Sequence, residues 1–210
     1  MNLNEITTAI SLFASKRNQA GLATMTSWLN QGNMFSYPRD NNNQPYPGDS
    51  SANVHAYPGI TSNGSLVFFV ISGYLDVPSN PNIAANITVC QIATGQASSG
   101  QGGNITPAEA LNRINNWALY HNNWIASNIS TPNSIFQCFV IPQEDSAQGT
   151  THNAFLALES NSTAPGGFEA DIIVQDVDSA KIYYMDTVGF CPPYGSGSMS
   201  PARFYLLSLI

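Results

Sequence analysis

Apolar residues fall at helical spacing in two regions of this chain and in continuous or alternating runs in seven others. The first helical region opens on Asn2 with Glu5 three residues on, a pair that can cap each other's backbone amides. Ile6, Ile10 and Phe13 then keep one face, as do Leu22, Met25 and Leu29. Lys16, Arg17 and Gly21 lie between the two sets, which makes this one interrupted helix or two. The second region carries the strongest local signal. Thr106-Pro107-Ala108-Glu109 supplies an N-cap, a proline at the first helical position and a capping-box glutamate. Leu111, Ile114, Ala118, His121 and Ile125 follow as one stripe beside Trp117 and Trp124, and the helix is expected to end near Asn128.

The strand-like runs are 65–75, 86–93, 134–142, 152–160, 168–177, 180–188 and 203–210. The run SLVFFVISGYL at 65–75 is unbroken, which predicts a central strand covered on both faces. Helices and strands in the order αββαβββββ do not alternate as in a doubly wound fold. The fold class is therefore α+β: one domain over 1–210, a mainly antiparallel sheet of about six to seven strands, and two main helices packed on it. Two stretches show no periodicity. Residues 31–64 read as a long irregular loop, and GQASSGQGG at 95–103 as a flexible one.

Composition changes the picture in one respect. Only 9% of the residues are charged, against about a quarter in a typical soluble domain, and Asn, Ser, Gln, Thr and Gly supply the polarity instead. Such a surface costs little to cover, whereas Lys and Glu resist desolvation. The formal charge of −7 and the pI near 4.6 exclude nucleic acid and anionic membrane surfaces as partners, since both need a basic face. No apolar run has the length of a membrane span, and the first residues lack the pattern of a secretory signal. A cytoplasmic location, or export by a non-classical route, is the expectation.

Candidate chemistry is sparse. Tyr37-Pro38, Tyr46-Pro47 and Tyr57-Pro58 recur within the long loop, with Arg39 and His55 interleaved. Rigid aromatic rings on a proline-stiffened loop suit a partner or a glycan, so Tyr37, Arg39, Tyr46, His55 and Tyr57 are the candidate binding residues. Cys90, His152 and Asp186 form the one ordered set compatible with a thiol hydrolase. Cys90, however, lies in an apolar strand, as does Cys138, and Cys191 precedes Pro192-Pro193 without a motif around it. His121, on an apolar stripe, reads as a core histidine. No HExxH or CxxC pattern occurs, so no metal or other cofactor is expected. The carboxylates gather late in the chain, where Glu169 and Asp171 read as the solvent face of a strand and 176–179 as a hairpin turn.

The leading expectation is a non-catalytic packing protein that assembles with itself through neutral polar, aromatic-bearing loops. The alternatives are a glycan-binding module using the Tyr-Pro loop and a cysteine-dependent hydrolase.

Overall fold

In a computed structural model, which describes residues 1–38, 53–131, 134–142, 145, 151–178, 181–186, 188–191 and 204–210, the Asn2–Glu5 cap forms. The Asn2 amide donates to Glu5 Oε2 at 2.8 Å and the Glu5 amide to Asn2 Oδ1 at 3.0 Å, starting helix α1 at Leu3–Ser15. A break follows, and α2 spans Leu22–Leu29. Helix α3, Pro107–Asn128, begins and ends where its sequence signals predict. Thr106 Oγ1 accepts from the Glu109 amide at 3.2 Å, while the Glu109 carboxylate turns to Arg113 instead of closing the box.

Among the described residues, nine strands make one sheet: β1 (Met34–Pro38), β2 (Asn53–Ile60), β3 (Leu66–Ser72), β4 (Thr88–Ala93), β5 (Cys138–Pro142), β6 (Thr151–Ser160), β7 (Phe168–Asp178), β8 (Lys181–Met185) and β9 (Gly189–Cys191). Their order is β8-β7-β6-β1-β4-β3-β2-β5-β9, and every neighbouring pair is antiparallel. The α+β class and the antiparallel sheet stand; the strand and helix numbers differ from expectation. The terminal run holds α4, Tyr205–Ser208, a single helical turn, where a strand was expected. Its apolar residues do not alternate, and short apolar runs do not distinguish helix from strand.

The larger correction concerns 31–64, which contains β1 and β2; residues 39–52 between them lie outside the described residues. Tyr-Pro dipeptides made this stretch look irregular. Pro58 is nevertheless accommodated inside β2, because β5 pairs only with Asn53–Ala56 and the side on which proline lacks a donor is open. Pro38 closes β1 in the same way.

The sheet is buried on both faces, which is why β3 could be read as an unbroken apolar run. Leu66, Phe68 and Val70 join a core with Phe35, Phe139, Leu156 and Ile172, capped by α2 and by Trp117 and Trp124 of α3. Val67, Phe69 and Ile71 face the other way, against Ile6, Ala9 and Ile10 of α1 and Leu206 of α4. A third cluster packs Ala110 and Ile114 of α3 on Phe155, Ala157, Ile173 and Tyr184. Helix α3 reaches two clusters because it follows the part of β6 that β1 leaves unpaired, where Asn116 Nδ2 donates to the Leu158 carbonyl at 3.2 Å.

The glycine-rich stretch is not a free loop. It runs along the outer edge of β8: the Gln101 amide donates to the Ile182 carbonyl at 2.9 Å, and the Tyr184 hydroxyl donates to the Ser98 carbonyl. A Cβ on Gly103 would overlap the Tyr184 carbonyl, and one on Gly100 would lie 2.8 Å from the Tyr184 ring. Gly103→Ala should therefore destabilise the protein by about 1–3 kcal/mol. Urea unfolding checks this, and an unchanged midpoint would mean that the strap does not hold the edge.

Candidate functional site

Strand register assembles the polar groups of the interior. Tyr37, His152 and Asp176 are direct partners across β1, β6 and β7, so all three share one face of the sheet. His152 and Asp176 have no exposed surface, and His152 Nδ1 is hydrogen-bonded to Asp176 Oδ1. The Tyr37 ring lies against the imidazole with centroids 5.2 Å apart. In a neutral imidazole, a carboxylate on Nδ1 fixes the tautomer whose lone pair is on Nε2, the arrangement found in general bases and in metal-ligating histidines. Here Nε2 is buried and has no hydrogen-bond partner among the described residues.

A second buried carboxylate organises the opposite face. Asp76, also without exposed surface, accepts from His55 Nδ1 at 2.8 Å, from the Tyr57 hydroxyl, and from the Leu206 amide at 3.1 Å. These bonds tie β2, the turn after β3 and α4 to one another, and His55 is further packed on the Phe204 ring at 4.7 Å. The third centre is Arg113, whose guanidinium meets Glu109 at 3.0 Å, Glu159 at 2.9 Å, and Asp171 and Asp186 both at 3.1 Å. Burial works to lower the guanidinium pKa, but the carboxylates outweigh it and hold the charge in place. Burial first, and then the charge of Asp186, push Asp171 up to about 7 despite Arg113.

The structure brings the sequence candidates together differently from the expected triad. His152 is paired with Asp176, while Asp186 belongs to Arg113. Cys90 sits on β4, with β1 between it and the His152 strand, so two strand spacings, roughly 10 Å, separate the backbones. Its thiol lies in the apolar core, and burial pushes it up to about 12, which keeps it protonated. Cys138 is also buried. Tyr37, His55 and Tyr57 are interior residues and present no surface to a ligand; Arg39 and Tyr46 lie outside the described residues. Asp171 is not on a solvent face, and Asp176 is in a strand interior rather than a turn. His121 is tied down, with Nδ1 at 2.7 Å from the Trp117 carbonyl and Nε2 at 2.7 Å from Asn30 Oδ1.

Among the described residues, no cluster of His, Cys, Asp and Glu has the makings of a metal site, and no helix is long and apolar enough to cross a membrane. The Asp176 partner of His152 was within reach of the sequence: counting outward from Ser160 opposite Phe168 pairs the two residues. The chain matches no protein-family profile, no curated protein and no solved structure.

Two outcomes follow. Iodoacetamide should leave Cys90 and Cys138 unmodified in the native protein and label both in urea, as read by peptide mass spectrometry. Rapid native labelling of Cys90 would restore the thiol-enzyme reading. Asp171 holds a proton in the folded state at pH values where the unfolded chain, with its ordinary value of 3.8, has released it. Its contribution to stability therefore falls as pH rises from about 4 to about 7, opposite in sign to that of a normally paired carboxylate. Asp171→Asn should gain on wild type between about pH 5 and about pH 8, by at most about 3 kcal/mol, and urea unfolding at both values checks it. A stability difference that stays flat would show that Asp171 is ionised throughout.

Proposed function

We propose that this protein is a non-catalytic packing component that assembles with itself through a nearly uncharged surface. One observation carries the reading. Of the charged side chains whose exposure is described, only Glu5, Lys16, Glu109 and Lys181 are exposed; Asp76, Asp145, Asp171 and Asp176 are buried. Two like copies of a body with formal charge −7 repel each other. Neutral amide and hydroxyl side chains form contacts without stripping water from ions. The described parts of 31–64 hold strands β1 and β2, and 95–103 lies along β8 with Gln96, Ser98, Ser99 and Gln101 exposed. The neutral contact surface is thus shared between that strap and the neutral faces of regular elements. A glycan-binding role rests on Tyr46 and Arg39 alone, since the other candidate rings are interior.

Sedimentation velocity and static light scattering over a concentration series test the proposal. The expected result is a mass that grows with concentration and does not shrink between about 50 and 500 mM salt, a range over which exposed ion pairs are screened. A species that stays monomeric, or an assembly that salt dissolves, would overturn it.

A further inference from the structure

Four carboxylates converge on the Arg113 guanidinium at the point where the glycine-rich strap meets the end of β8. Asp171 and Asp186 both meet the same nitrogen, Nη1, at 3.1 Å, while Glu109 takes Nε and Glu159 takes Nη2. Two carboxylates on one nitrogen repel each other unless one of them holds a proton. Asp171 is the fixed member of the pair: it lies inside β7, its side chain is 9% exposed, and its Oδ1 accepts from the Ile172 amide at 2.7 Å. Asp186 is the freer one, since it follows the last residue of β8 and its side chain is 21% exposed. Its backbone is also where the strap is pinned. The Asp186 amide donates to Asn104 Oδ1 at 2.7 Å, and Asn104 Nδ2 donates in turn to the buried Asp145 at 3.5 Å. Beyond this point the strap is held by the Gln101–Ile182 backbone bond and by the Tyr184 hydroxyl.

We infer that the strap is a latch governed by this centre: with a proton on Asp171 it lies closed on β8, and with that proton gone Asp186 withdraws from Arg113 and the strap loosens. The groups that face Asp171 are Glu109 and Arg113 from α3, Glu159 from β6, Glu169 from its own strand, and Tyr184 and Asp186 from β8 and its end. The strap itself has no charged residue between 95 and 104. His152 and Asp176 lie on the opposite face of the sheet, and Lys181 at the far end of β8. Burial, and then the charge of Asp186, place the release of the Asp171 proton at about 7, against 3.8 once water reaches the carboxyl. The closed strap therefore binds the extra proton, and this contribution to closure is lost as pH rises from about 4 to about 7. What the latch covers is an edge strand. Uncovered, β8 offers backbone donors and acceptors with which another strand can pair. The device works within one chain and does not depend on self-assembly.

Amide hydrogen exchange of the intact chain, followed by NMR and corrected for the intrinsic rate at each pH, tests the latch. The Gln101 amide should be less protected than the amides of the central strand β3, and its protection should fall about tenfold between about pH 6 and about pH 8. Asp171→Asn, which keeps the side chain neutral, should hold Gln101 at one level of protection across that range. Asp186→Asn, at a partly exposed position, removes the charge that is driven out and should shrink the response. Protection that does not change with pH in wild type overturns the latch, and so does a fall as large in either variant as in wild type. A Gln101 amide as protected as those of β3 overturns it as well, because the strap would then open only with the whole fold.

Discussion

Asp76 and Asp176 have no contact with solvent, and each is held by a histidine delivered from a neighbouring element. A buried carboxylate without partners is among the most unfavourable groups a fold can contain, so wherever one occurs its partners dictate local geometry. His152 meets Asp176 only if β6 and β7 keep their observed register; a shift of one residue would send the imidazole to the opposite face. Asp76 imposes the same condition over a longer distance, because its third donor is the Leu206 amide, 130 residues away in the chain. Arg113 does likewise for α3, β6, β7 and the end of β8. Three polar centres inside an otherwise apolar frame therefore tie these elements together in one register.

A consequence is visible at the periphery. Proteins commonly protect the edge strands of an open sheet with lysines or inward-pointing charges. At the β8 edge this chain uses backbone instead: the uncharged segment from Ser98 to Asn104 covers the strand, with Asn104 Oδ1 accepting from the Asp186 amide at 2.7 Å. The glycines that made this segment look flexible are those that allow it to lie against Tyr184. Protection by a neutral strap and pairing of charge in the interior belong together, since both keep ions off the described surface where they occur.

Legibility followed the range of the interaction. Both N-caps, the ends of α3 and the two-faced burial of β3 depend on residues close in sequence and could be read from it. Strands β1 and β2 could not, because a proline inside a strand is tolerated only when the neighbouring strand stops short, and that is a tertiary fact. His152 was visible as a strand-opening histidine, yet Asp176 looked like a turn residue until the β6–β7 register was known. Asp76 carried no local signal at all, since its importance comes from Leu206 and His55. Asp171 alternated with apolar neighbours as a solvent-facing residue would; only the position of α3 makes it an interior group.

The composition of α3 bears on the same question from another side. Asparagine is a poor helix former because its side chain competes for backbone hydrogen bonds. The helix nevertheless places asparagine at the exposed positions Asn112, Asn115, Asn122 and Asn123, where Glu or Lys would raise helix propensity and solubility together. Its stability comes from elsewhere: the Thr106 cap, Pro107, the Arg113 pairs and the buried stripe through Trp117, Trp124 and Ile125. Folding accounts for Asn122, which accepts from Asn30 Nδ2, but not for Asn112, Asn115 and Asn123. A face meant to stay wet gains from charge, whereas a face that is covered gains from side chains that donate and accept alike and carry no ion to desolvate. The outward surface of α3 has the second composition, and it is the property of the whole chain, polar without charge, concentrated on one helix.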